Sequence, residues 1–207
     1  VAAPPFPLVF GGTGGASVAA IDAGAGSLSF GAVRTTSGAS GGTYSVITLG
    51  ALTRCRSGML MRTRFAPVSA LSTVRRFSGF ADVNFRNGCG FFFDGLNVAA
   101  RSGAVDGAAS TTTYALSVGA LYILEVEILT SSSGCFRVRN GTTDAVLWEE
   151  TISAALPGIA VRVWAFYGGF TSSPGVATAM DDLHDFGFGT RRGFDRYRGV
   201  MALSTVA

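Results

Sequence analysis

Glu125 and Glu127 are the first residues whose type and spacing could do chemistry. They lie in Tyr122–Leu129, where Tyr122, Leu124, Val126 and Ile128 alternate with Ile123, Glu125, Glu127 and Leu129. Successive side chains of a strand point to opposite faces, so the two carboxylates share a face, about 7 Å apart along the backbone. Paired carboxylates carry glycoside hydrolysis, one as acid and the other as base or nucleophile. The plainer expectation is a strand whose charged face looks to water or to a neighbouring subunit.

Asp181, Asp182 and Asp185 are the second candidates, gathered around His184, the single histidine. Carboxylate oxygens suit calcium or another hard cation. On a strand, however, Asp181 and Asp185 point one way and Asp182 and His184 the other, so neither a metal nor any cofactor is expected. One histidine also excludes the His-Glu-x-x-His zinc motif, and no Gly-x-Ser-x-Gly elbow is present. Trp148, Trp164, Tyr167 and Phe170 could stack on sugar rings, although a buried core accounts for them more economically. Arg191, Arg192, Phe194, Arg196, Tyr197 and Arg198 combine residue types that interfaces favour, and so could dock a partner; the alternative is a solvated terminus.

The elements that must position these residues are strands. After Tyr122–Leu129 comes a Ser-Ser-Ser-Gly turn, then Cys135–Arg139, then Asn140-Gly141, a dipeptide suited to a tight hairpin, then Ala145–Glu149. This predicts a three-stranded meander with Tyr122, Leu124, Val126, Phe136, Val138 and Trp148 facing a core. Further strands are expected at Ser27–Val33, Tyr44–Leu52, Gly58–Phe65, Val74–Phe80, Cys89–Asp94, Leu96–Arg101, Tyr114–Val118, Ile159–Tyr167 and Ala177–Phe188. Ten to twelve short strands without helical periodicity predict an all-β protein, a two-sheet antiparallel jelly-roll sandwich. Residues 1–42 read as an extended Gly/Pro-rich N-terminal arm, either an edge strand of its own domain or a reach onto a neighbour. Residues 43–190 read as the sandwich and 191–207 as an Arg/aromatic C-terminal tail.

Composition removes several functions. All 16 basic residues are arginine, and without lysine there is no Walker-A, Schiff-base or kinase lysine chemistry. A net charge of +3 is too weak to imply nucleic-acid binding, and no run of apolar residues is long enough for a membrane-spanning helix. The start VAAPPFPLVF lacks a basic n-region, so no signal peptide is expected. Cys55, Cys89 and Cys135 are odd in number and lack paired metal-site spacing, which predicts unpaired, mostly buried thiols in a chain folded in a reducing cytoplasm.

An ordered series of patterns carries a resemblance. Arg62-Thr63-Arg64-Phe65 resembles R-x-R-F, and the run from Phe77 to Asp82 resembles F-x-G-F-x-D. Asn87–Asp94 is similar to N-G-x-x-F-x-x-D, and Phe136–Gly141 to a hairpin F-x-V-N-G. Val146-Leu147-Trp148, Leu156-Pro157 and the closing Met180–Phe188 follow in order. Together they resemble the concanavalin A-like lectin/glucanase jelly-roll modules of tailed-bacteriophage virion proteins, over about residues 44–190. That resemblance implies a non-enzymatic structural protein on the particle's exterior: head decoration or cement, head fibre or tail-fibre module. Its partners would be capsid or tail subunits and itself as a homo-oligomer, assembled into the virion in the host cytoplasm. The alternative is a lectin-like module binding a host surface glycan, and a third reading is a glycoside hydrolase. The glucanases of this class place three acids on alternate strand residues, but Leu129 stands at the third position here.

Overall fold

The computed structural model describes residues 8–12, 17–21, 32–37, 43–47, 57–67, 75–82, 87–104, 108–153, 162–168 and 178–190. Among them are fifteen strands and no helix. They are β1 (Leu8–Gly12), β2 (Ser17–Ile21), β3 (Ala32–Ser37), β4 (Thr43–Ile47), β5 (Met59–Pro67), β6 (Arg75–Ala81), β7 (Asn87–Asp94) and β8 (Asn97–Ala104). Then come β9 (Ala108–Ala109), β10 (Tyr114–Ala115), β11 (Tyr122–Thr130), β12 (Ser133–Asn140), β13 (Val146–Ser153), β14 (Arg162–Gly168) and β15 (Thr178–Thr190).

All pairings are antiparallel and build two sheets. The first runs β1-β4-β14-β6-β7-β8-β10, with β9 also on β8; the second runs β13-β12-β11-β5-β15-β3-β2. This is the two-sheet jelly-roll sandwich expected from the strand patterns. Residues 1–42 contribute an outermost strand to each sheet, β1 and β2, and β3 beside β15. The expected Ser27–Val33 strand begins at Ala32 among the described residues.

Alternation decides what is buried. Met61 and Phe65 of β5, Leu124, Val126 and Ile128 of β11, and Phe136 and Val138 of β12 turn inward from the second sheet. They meet Phe80, Cys89, Phe91, Phe93, Val98 and Ala100 of the first. Trp148 of β13 packs half-buried against this cluster, and the other five expected core residues of the meander belong to it. Within the three-phenylalanine run of β7, Phe91 and Phe93 are buried, while Phe92 faces outward under the Arg101 guanidinium, 4.8 Å from its ring centre.

Two of the turns use glycine in different ways. Gly95, with φ +60°, lets Asp94 pair directly with Asn97 in a two-residue hairpin. The Asn140-Gly141 hairpin is longer than expected: Asn140 N–H donates to the Ala145 carbonyl at 2.8 Å, and Asn140 Oδ1 accepts from the N–H groups of Thr142 and Thr143, each at 2.9 Å. The left-handed residue is Asp144, φ +59°, not Gly141. Glycine is needed at 141 for another reason. Its N–H bonds the Leu121 carbonyl at 2.8 Å, and an added Cβ would lie 2.8 Å from the Leu121 carbonyl carbon. Gly141→Ala is therefore expected to lower stability by about 1–3 kcal/mol, read as a lower urea midpoint with an unchanged slope.

Candidate functional site

A set of ion pairs lies on the second sheet's face turned away from the core. β11 lies between β5 and β12, and strand register sets Glu125 opposite Arg62 on one side and Arg137 on the other. Arg137 in turn stands opposite Glu149 of β13. One row across four strands therefore reads Glu149, Arg137, Glu125, Arg62, alternating in charge.

The side chains follow the register. Glu125 Oε1 accepts from Arg137 Nη1 at 2.7 Å and from Arg139 Nη2 at 3.2 Å, while Oε2 lies 3.1 Å from Arg62 Nε. The same Arg137 Nη1 bonds Glu127 Oε2 at 2.8 Å, and Arg137 Nε bonds Glu149 Oε2. Asp144, on the β12–β13 loop, takes Arg62 Nη2 on its Oδ1 and offers its carbonyl to Arg139 Nη1 at 3.0 Å.

Glu125 and Glu127 are 5% and 4% exposed, which corrects the expectation that they face water. Arginines on both flanking strands fold over them, and burial becomes tolerable because each carboxylate is charge-paired. The pair also does not present itself as an acid and a base, because both acids bond one guanidinium nitrogen. Burial disfavours the Arg137 charge, but its bonds to Glu127, Glu125 and Glu149 outweigh that and raise its pKa further. The Arg137 hydrogen bond holds the Glu149 carboxyl below the usual range, against a smaller opposing effect of burial.

The sequence reading missed Arg62, Arg137, Arg139, Asp144 and Glu149 as parts of one arrangement. The available signal was complementary alternation: R-x-R at 62 and 64, E-x-E at 125 and 127, R-x-R at 137 and 139.

Trp148 has a structural partner at the sandwich edge. Its Nε1–H donates to Thr112 Oγ1 at 2.9 Å, and that hydroxyl donates to Glu150 Oε2 at 2.8 Å. Glu150 Oε1 also accepts from Thr111 N–H at 2.6 Å, so one carboxylate clamps the loop before β10 onto β13. Burial pushes the Glu150 carboxyl up, but the hydrogen bonds from Thr111 and Thr112 prevail and its pKa is lowered. A lowered folded pKa means the clamp stabilises fully above the ordinary glutamate value of about 4.3 and fails as pH falls through the lower folded value. Glu150→Gln should thus flatten the acid side of a stability–pH curve below about pH 5, with a cost near neutrality of about 1–2 kcal/mol, measured by chemical denaturation across pH.

The other candidates are dispersed. Trp164 and Tyr167 lie in β14 of the first sheet, where Trp164 pairs with Val46 and Gly79, whereas Trp148 lies in the second. Asp181, Asp182 and Asp185 lie along β15, whose register against β5 shifts between Leu183 and Gly187. Phe170, Arg191, Arg192, Phe194, Arg196, Tyr197 and Arg198 lie outside the described residues. Cys89 and Cys135 are both buried, and burial raises the Cys135 thiol above its ordinary pKa, against a reactive thiolate. Cys55 lies outside the described residues.

No family model matches this sequence, and no curated protein matches it. Solved structures do match. A protein of unknown function from Shewanella oneidensis MR-1 aligns with a TM-score of 0.63 at 15% identity, covering 85% of this chain and 78% of that one. A cellulose induced protein aligns with a TM-score of 0.57 at 12% identity, covering 88% and 91%. An alginate lyase of polysaccharide lyase family 7 aligns with a TM-score of 0.53 at 12% identity, covering 77% and 80%. At such identities the likeness is one of fold, and it agrees with the concanavalin A-like jelly roll that the motifs suggested. Nothing in these comparisons points to a phage, so the virion reading stands on the sequence motifs alone. The expectation of a non-enzymatic protein is corrected: solved structures sharing this fold include alginate lyases. The chain is a two-sheet jelly-roll sandwich similar in fold to polysaccharide lyases.

Proposed function

We propose that this protein is a carbohydrate-binding or glycan-active module whose ligand lies across the outward face of β5, β11, β12 and β13. The observation that carries the reading is the lattice of Arg62, Arg137 and Arg139 with Glu125, Glu127, Asp144 and Glu149. A buried ion-pair lattice is weak as a device for stability, since well-packed apolar residues often serve as well. What it does provide is a set of donors and acceptors held in fixed directions, which a hydroxyl-rich ligand can use without further ordering. The fold likeness to an alginate lyase and a cellulose induced protein supports the glycan class.

The test is retention of the purified protein on a panel of insoluble and gel-embedded polysaccharides, with chromatography of the incubated sugars to detect depolymerisation. Retention by at least one polysaccharide is expected, weakened at least tenfold in Arg139→Ala. Val118→Ser should leave it unchanged, because Val118 is exposed in the loop between β10 and β11. If neither retention nor depolymerisation occurs across the panel, the reading is withdrawn.

A further inference from the structure

We infer that Asp144 and Glu149 form a selectivity rim on this face, barring polyanionic glycans and leaving the face to neutral ones. The inference rests on the glycan reading above and names the class of sugar.

Its ground is the order in which an approaching ligand meets charge. The side chains of Arg137, Arg139 and Arg62 are 14%, 20% and 22% exposed, whereas those of Asp144 and Glu149 are 55% and 49% exposed. The guanidinium groups are thus the more buried partners, and the two exposed carboxylates lie at the margin of the face, on the β12–β13 loop and on the outermost strand β13. All three arginines are also engaged: Arg137 by Glu125, Glu127 and Glu149, Arg62 by Glu125 and Asp144, and Arg139 by Glu125.

A uronate or sulfated chain would meet Asp144 and Glu149 first, and like charges brought together across an interface are strongly unfavourable. To reach Arg137 it would have to displace a protein carboxylate from an existing charge-assisted bond, so two anions would compete for one fork. A neutral chain meets neither obstacle. Its hydroxyls can donate to the carboxylates, which are acceptor-only groups with two oxygens each.

The rim can be tested with its charge removed and its shape kept. Asp144 adopts a left-handed φ of +59°, a conformation asparagine also tolerates, so Asp144→Asn suits the loop. Glu149→Gln, on the half-exposed side chain, is the companion change and serves alone if the double variant fails to fold. Affinity gel electrophoresis would compare both with the unaltered protein in gels holding neutral β-glucan or galactomannan and in gels holding alginate or pectate. The unaltered protein should be retarded by a neutral gel and not by the anionic ones, and the amide variants should gain at least tenfold in affinity for an anionic gel. Retardation of the unaltered protein by alginate or pectate as strong as by a neutral gel overturns the inference and leaves the glycan reading standing. Anionic affinity that the amide variants do not change overturns it as well. Absence of retardation in every gel overturns both.

Discussion

Replacing Arg137 by alanine should lower stability by about 3–5 kcal/mol, the cost of breaking a buried ion pair from one side. Arg137 holds three carboxylates, two of them on residues almost wholly removed from water. Its loss leaves Glu125 dependent on Arg62 and Arg139 and takes from Glu127 a guanidinium bond of 2.8 Å. The urea midpoint should fall with the slope unchanged. A second substitution separates charge from volume: in an Arg137→Met background, Glu127→Gln should recover about 1–3 kcal/mol, since an amide costs less than a carboxylate to hold in a buried place. If Arg137→Met alone were as stable as the unaltered protein, the lattice would carry no electrostatic coupling.

Phe91→Ala is expected to cost about 3–5 kcal/mol, the usual range for deleting a buried aromatic ring. Phe91 is fully buried on β7 and packs edge-on against Phe136 of β12, with ring centres 5.8 Å apart, and at 6.2 Å from Trp148 of β13. It therefore ties the first sheet to the outer strands of the second. The next residue gives the contrast. Phe92 lies on the opposite face beneath Arg101, so Phe92→Ala should cost about 1 kcal/mol, a partly exposed ring and a surface cation–π contact. Thermal or chemical denaturation of the two variants side by side reads the alternation of the strand directly.

Much of the fold was legible because period-two alternation is local. Met59–Phe65, Cys89–Asp94 and the meander from Tyr122 each declare their inward faces within a few residues, and all lie in strands as expected. The N-terminal strands β1 and β2 were harder to read, since LVFGG and SVAAI are short and rich in glycine and alanine. The site was less legible than the fold. Alternation says that Glu125 and Glu127 share a face, but it cannot say what lies across the neighbouring strands. Arg62 precedes Glu125 by more than sixty residues, and only the pairing of β5 with β11 brings them opposite. The hairpin at Asn140 misled for a related reason. The left-handed position passed to Asp144, while Gly141 was required by the close approach of Leu121, a contact outside any local turn rule.

The position of β13 at the end of the second sheet bears on how copies of the chain behave when crowded. An outermost strand is a template for another chain's backbone, and open sheets risk growing into fibres through such edges. Here the middle of the strand carries Glu149 and Glu150 in succession, one on each face. Two such edges meeting antiparallel would bring acidic side chains together, Glu149 on the outward face and Glu150 on the face that carries the loop clamp. The same carboxylates that organise the lattice and the loop clamp thereby act as gatekeepers against ribbon growth. Protonating them in acid would weaken the pairing within the molecule and the repulsion between molecules together.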